Sequence, residues 1–503
     1  MYSKIKTNNI LKLAFPEIAT QLVIVVATLI EMFNVAKLGV VAIAAMSIGN
    51  MVTMTINSFL GEVDMGARVL AARFLGAGDN SSLLKTFVVS IYVPAILGCA
   101  VVLFSQNISF LAFYLIGDNS LNQVGILYLS TLLKSVPFAL IFFSLNGFIA
   151  GIGDTFSPFY IRLIMHSFEI CLGYILMFGY FGLPKLGVHG VAIALVFTYM
   201  LGMLLCLVVI LYKKFALYNI KFALFKQVFF ENEIVLKSYI SLSFDLGLQF
   251  GFSDIALYLF VIFVGWHGIS AVAVYQIAYC QVFSSMQLPL YGFYTAASII
   301  MGQILGENKI LWAMPAANKI LKIALILSTV MAAIVFGLSS FIGQLFSPLD
   351  ANVAATSALA IKILSLNIIL DTFYIVVSGS LIGAYESHFV MQLGLAVEYL
   401  LLLPACYILS IQFGFGFVGA CVALCIRSSI NCLIVGWRFF VVRKWDSARI
   451  TFRRRKIFAI QSSTIAGRPV YDQKGLVFAM NDFLEEGVII PVKFLKNKFD
   501  SLQ

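Results

Sequence analysis

Residues 67–76 read ARVLAARFLG, and residues 297–306 read ASIIMGQILG, 230 positions further on. A second pair, GFIAGIGDT at 147–155 and GSLIGAYES at 379–387, recurs at an offset of 232. Two matches at nearly one offset mark an internal duplication, so the chain is two copies of one unit. Each copy is too apolar to fold in water. Of 503 residues, 61% are apolar and 11% charged, against about 45–50% and about 25% in soluble domains. Mean hydropathy is +1.00. The bilayer is therefore the solvent for most of this chain.

A helix needs about 20 apolar residues to cross a bilayer. Working outward from the repeats, polar and Gly/Pro punctuation divides the chain into twelve such runs: 10–36, 41–72, 83–105, 121–150, 157–181, 188–212, 236–265, 271–304, 316–345, 355–383, 388–412 and 416–441. The first run outlasts a signal-peptide core and ends in no small-residue cleavage site, so it reads as a retained span. The expected organisation is a six-helix lobe over 1–213, a linker over 214–235, a second six-helix lobe over 236–443 and a cytosolic tail over 444–503. Parallel repeats of this kind place two bundles about an axis along the membrane normal, able to rock around a central site.

Net charge is +10, but the cations form no single patch, which excludes a nucleic-acid surface. Lys4, Lys6 and Lys12 precede the first span; Arg68, Arg73 and Lys85 flank the second connection; Lys213, Lys214, Lys221 and Lys226 lie between the halves; Arg453, Arg454, Arg455 and Lys456 follow the last span. The positive-inside rule then puts both termini in the cytoplasm, in a multi-pass protein of the cell (inner or plasma) membrane. The eight cysteines show no CxxC spacing. They read as helix-packing residues rather than a disulfide framework. The four histidines form no HExxH pair and no GxxxxGK[ST] loop is present, so neither a metalloenzyme nor an ATPase is indicated. No catalytic dyad points to an intramembrane enzyme, and no filter-like repeat points to a channel.

Carboxylates inside the membrane are costly, on the order of 2.5–3.5 kcal/mol each on insertion scales, and persist where they pair, protonate or bind a cation. Glu31, Glu62, Asp64, Glu169, Asp254, Asp371 and Glu398 fall within spans. Asp64 and Arg68 are i,i+4 neighbours and read as an intrahelical pair; Glu62 is placed to join them. Glu31 and Glu169 are the main candidates for a cation site in the first half. Two carboxylates sharing a dry site do not both ionise cheaply, which suits a proton site, and the same oxygens also suit Na⁺. Asn367, one turn before Asp371, adds an oxygen donor in the second half. Gln21, Asn50, Gln276, Gln287 and Glu398 are the expected polar contacts of a substrate cleft. Pro16, inside the first span, is a candidate hinge or a fixed kink. Asp154 and Thr155 are expected caps of the fifth span, while Gly76 and Gly78 are expected to end the second.

Several segments carry a family resemblance. The run FPEIATQLVIVVATLIEMFNVAKLGVVAIAAMSIGN (15–50), GARVLAARFLGAGD (66–79), NGFIAGIGDTFSP (146–158), AVAVYQIA (271–278), TAASIIMGQILG (295–306) and SGSLIGAYES (378–387) resemble, in order and spacing, the multidrug and toxic compound extrusion (MATE) family over roughly residues 10–440. The resemblance implies an all-α polytopic fold: twelve transmembrane helices in two six-helix lobes related by a pseudo-two-fold axis, around a V-shaped cleft. It implies a secondary antiporter that exports amphipathic, often cationic, organic solutes in exchange for H⁺ or Na⁺, not an enzyme. No cofactor, no obligate protein partner and no metal beyond Na⁺ at Glu31 and Glu169 are expected; small solutes and membrane lipids are the partners. Glu31 stands where the family carries an acid in its first span. Glu169 stands where its fifth span has Asn, and the family's Asp four residues on is here Gly173. Asp371 matches an acid seven positions before the Ser378–Gly379 motif. The family's acid in span seven aligns with Ser253, with Asp254 one residue on. The alternative is a flippase for a lipid-linked oligosaccharide or related precursor, against which the carboxylate-bearing interior and the count of twelve spans argue.

Overall fold

The computed structural model describes residues 7–114, 119–214, 233–348 and 350–442. Positions 215–232 of the expected linker, and the 444–503 tail with its basic run, lie outside the described residues. Those described are helical, with no strand among them. In lipid each backbone N–H and C=O needs an internal partner, and a helix supplies one within each segment.

Twelve spans run in order: α1 (Thr7–Ala36), α2 (Val40–Ala77), α3 (Asn80–Leu103), α4 (Leu121–Leu133 with Val136–Gly151, bent by 41°), α5 (Phe156–Phe178), α6 (Val188–Tyr212), α7 (Glu233–Gly265), α8 (Ile269–Gly306), α9 (Ile310–Phe346), α10 (Ala351–Gly383), α11 (Ser387–Gln412) and α12 (Gly416–Val442). The expected span at 121–150 is thus broken beside Lys134 and Ser135. A short helix, Ser105–Tyr114, follows α3. Large apolar side chains such as Leu29, Phe33, Ile326, Leu400 and Leu433 face outward, as lipid-facing surfaces require.

The connections obey local chemistry. Gly78 ends α2 at φ +68°, a left-handed turn open to glycine, while Gly76 has a packing role. The Ser82 amide donates to the Asp79 carboxylate at 3.0 Å, capping α3. At α5 the cap is Asp154, which accepts from the Ser157 amide at 3.0 Å and its hydroxyl at 2.7 Å. Thr155 makes no capping bond, correcting that half of the expectation. Its hydroxyl instead donates to the Lys12 carbonyl at 3.2 Å. That carbonyl is free because Pro16, four residues on in α1, has no N–H to offer it.

The duplication is visible as equivalent contacts. In the first half, Gly147 and Gly151 of α4 lie so close to α2 that added Cβ atoms would strike the Asp64 and Arg68 carbonyls. In the second, Gly379 and Gly383 of α10 meet the Tyr294 and Ser298 carbonyls of α8 in the same way. These are the quoted repeats, with small residues at four-residue spacing letting two helices touch backbone to backbone. The halves meet along α2 and α8, with α1 against α8 and α7 against α2. At the crossing, Gly76 packs on the Gln303 carbonyl and Gly306 on the Arg73 carbonyl, each half returning the contact it receives. The pseudo-two-fold axis passes here.

Candidate functional site

A cavity of about 440 Å³ lies chiefly between α1, α2, α4, α5 and α6 and reaches Phe250 of α7. Glu31, Asn50, Asn57, Ser58, Glu62, His166 and Glu169 supply most of its polar lining. The chain reverses and breaks to put them there: α2 is interrupted at Gly61–Glu62, and His166 and Glu169 are i,i+3 on one face of α5.

Glu31 and Glu169, distant in sequence, meet in two places. Both line the large cavity, and both line a small pocket of about 10 Å³ beside Gly173. That volume is on the scale of a single water molecule. Glu169 is 8% exposed and is held by His166, whose Nδ1 lies 2.7 Å from its Oε2. Glu31 has a buried Oε1 with no hydrogen-bond partner. A Cβ on Gly173 would come no closer than 3.8 Å to the Ala194 Cβ, an ordinary van der Waals contact. The cavity also places Asn50, which accepts from the Tyr128 hydroxyl at 3.1 Å. Gln21 lies outside this cavity.

In the second half Asp371, 3% exposed, is surrounded. Its Oδ1 accepts from the Ser428 hydroxyl at 2.5 Å. Its Oδ2 accepts from Gln287 Nε2 at 3.0 Å and lies 3.5 Å from Arg427 Nη2. Asn367 donates to Ser428 at 3.2 Å, leaving its own Oδ1 buried and unpartnered. Gln287, expected in the substrate cleft, is instead tied to Asp371. Asp254 points the other way, accepting from Ser58 of α2 at 2.5 Å across the lobe boundary, so it does not join Asp371. Glu398 starts a π-helical turn in α11, with its Oε2 buried and unpartnered. Its neighbours are Arg427 and Ser253, so it reaches the place where the family resemblance calls for an acid on α7. Gln276 starts a π-helical turn of α8 and is solvent- or lipid-exposed.

A third charged group closes the lobes together. Arg68, 4% exposed, pairs with Asp64 on its own helix and donates to the Thr295 hydroxyl of α8 at 2.8 Å. Glu62 lies beside the pair. Tyr239 of α7 reaches Ser144 at 2.6 Å and the Val63 carbonyl at 3.2 Å. Arg73 stacks its guanidinium over Tyr385, 4.4 Å from the ring centre.

Sequence reasoning missed His166 and Arg427. The first carried a signal in its three-residue spacing from Glu169. The second is a lone guanidinium in the apolar run of α12, which merits the same attention as a buried carboxylate.

Twelve spans among the described residues, in two duplicated lobes, with buried carboxylates facing a cavity between spans, define a polytopic membrane transporter rather than an enzyme. The MatE family model matches residues 16–175 and 254–408, and the chain belongs to that family. A "probable multidrug resistance protein NorM" of Bradyrhizobium diazoefficiens is 26% identical over 456 residues, covering 85% of this chain and 92% of its own. The "probable multidrug resistance protein YoeA" of Bacillus subtilis is 27% identical over 289 residues, covering 56% of this chain and 61% of its own. Among solved structures, an outward-facing multidrug resistance MATE transporter of the MOP superfamily superposes with a TM-score of 0.78 at 20% identity, covering 87% of this chain and 96% of its own. The eukaryotic MATE transporter AtDTX14 gives 0.71 at 19% identity, covering 87% and 96%.

Proposed function

We propose that the chain is an antiporter that exports amphipathic, often cationic, organic compounds in exchange for H⁺ or Na⁺ by alternating access, with coupling at Glu31 and Glu169. The observation that carries this reading is the pair's shared pocket. Two carboxylates bound a space fit for one small ion, and one of their oxygens is buried without a partner. A buried acceptor left unpaired costs about 1–3 kcal/mol, more when charged, and binding a cation removes that cost. His166 fixes one face of Glu169, so the ion approaches from the Glu31 side.

The larger cavity adjoins this pocket and shares both acids. Ion and organic cation therefore compete for the same negative charge, which makes their movement mutually exclusive. That is the requirement of exchange. An ion moving down the membrane potential supplies about 2.3 kcal/mol per charge per 100 mV, and no nucleotide is needed. The close packing around Arg68, Thr295 and Tyr239 lies at the end of the lobes bearing Arg73 and Lys309. By the positive-inside rule this end faces the cytoplasm, the lobes there are shut, and both termini are cytoplasmic. The membrane is the inner or plasma membrane.

The test is efflux of a fluorescent organic cation from proteoliposomes under imposed H⁺ or Na⁺ gradients, each applied alone. Wild type responds to one of them. The Glu31→Gln/Glu169→Gln protein is expected to lose that response and to bind the dye more weakly, since both ligands draw on the same charge. Gradient-driven efflux at the wild-type rate in this variant would refute the coupling site.

A further inference from the structure

Glu31 of the first lobe and Asp371 of the second are held differently. Glu31 keeps an unpartnered oxygen and lines a small pocket with Glu169. Asp371 keeps none: Ser428 and Gln287 satisfy its oxygens, and the Arg427 guanidinium lies 3.5 Å away with 16% of its side chain exposed. Arg427 and Ser428 are consecutive on α12, so one helix turn delivers both the counter-charge and the shortest hydrogen bond.

We infer that Arg427 is a tethered cation that permanently takes the place of an ion beside Asp371, so that Asp371 binds none. It rests on the coupling reading above and removes Asp371 from the groups that take part in the exchange. A guanidinium stays charged under all physiological conditions and cannot leave. It does for Asp371 what a bound Na⁺ or proton does transiently for Glu31. A second cation entering beside Asp371 would meet like charge at contact range in a dry interior, and its oxygens are already taken. The other groups facing the guanidinium are Glu398 of α11, Tyr279 of α8 and Tyr374 of α10. Glu398 is the one further acid among these, so it is neutralised in the test.

The experiment uses the full-length protein with Glu31, Glu169 and Glu398 all changed to Gln, and two probes: equilibrium binding of ²²Na⁺, and proton uptake on a small acid jump. This background is compared with the same protein carrying Asp371→Asn. The two are expected to bind equal amounts of both ions, because Asp371 is occupied. Adding Arg427→Gln to the background is expected to create one new site for Na⁺ or H⁺, and Asp371→Asn is expected to abolish it. An Asp371-dependent site seen while Arg427 is in place overturns the inference. So does a folded, monodisperse Arg427→Gln protein with no new site. Removing one partner of a buried pair is destabilising; if that variant does not fold, the first comparison still decides. None of these readouts depends on transport, so a failure of the first-lobe coupling reading shows separately, as persistent gradient-driven efflux.

Discussion

Replacing Thr295 with Val tests what holds the lobes shut. The Thr295 hydroxyl accepts from Arg68 at 2.8 Å, both residues are buried (3% and 4% exposed), and the bond spans α2 and α8. Val has nearly the same shape, so packing is kept and only the acceptor is lost. When the lobes part, water replaces it, so the loss falls on the closed state alone. A hydrogen bond to a charged group contributes about 1.5–3 kcal/mol. The closed-to-open equilibrium should therefore shift toward open by about 10- to 150-fold. Ser243 of α7 reports this, since its hydroxyl is buried against Gly66 of α2. With the eight native cysteines replaced, Ser243→Cys places a thiol that a reagent reaches only when the lobes separate. Its labelling rate should rise in proportion to the open population when Thr295→Val is added. A rate unchanged within about twofold, in protein that elutes and melts as a folded species, would refute the view that this bond stabilises the closed state.

Two further outcomes follow from packing. Gly151→Ala and Gly383→Ala each drive a methyl group into a carbonyl, of Arg68 and Ser298 respectively. Each should lose about 1–3 kcal/mol by overpacking, read as a lower melting midpoint in detergent, whereas Gly337→Ala, where an added Cβ meets nothing within 4 Å, should be neutral or stabilising. Thr155→Val strands the Lys12 carbonyl and should cost about 1–3 kcal/mol, but in a Pro16→Ala protein the restored Ala amide takes that carbonyl. The double mutant should thus recover most of the loss, a non-additivity measurable by a thermal or denaturant cycle; strict additivity would show that the two residues do not share this carbonyl.

The membrane class, the twelve spans and the duplication were legible in the chain itself. Each rests on local quantities: apolar run length, and small residues recurring at a fixed offset. The glycines at 147, 151, 379 and 383 had a visible pattern, but the pattern did not show that they bring two helices into backbone contact. A glycine needed for close approach and one needed for a turn look alike until the neighbouring helix is in place. Gly78 and Gly153, at φ +68° and +88°, do form turns.

The acids show the same divide. Their cost in lipid marked Glu31, Glu169, Asp371 and Glu398 as residues needing partners, because burial of charge is penalised whatever the fold. Which partner each found depended on contacts between helices remote in sequence. Glu31 and Glu169 are brought to one pocket by α1 and α5, whereas Asp371 is met by Ser428 and Arg427 of α12. Span hydropathy is a sum along the chain and survives any helix arrangement. Charge compensation depends on separations of a few ångströms, which only the packed bundle sets.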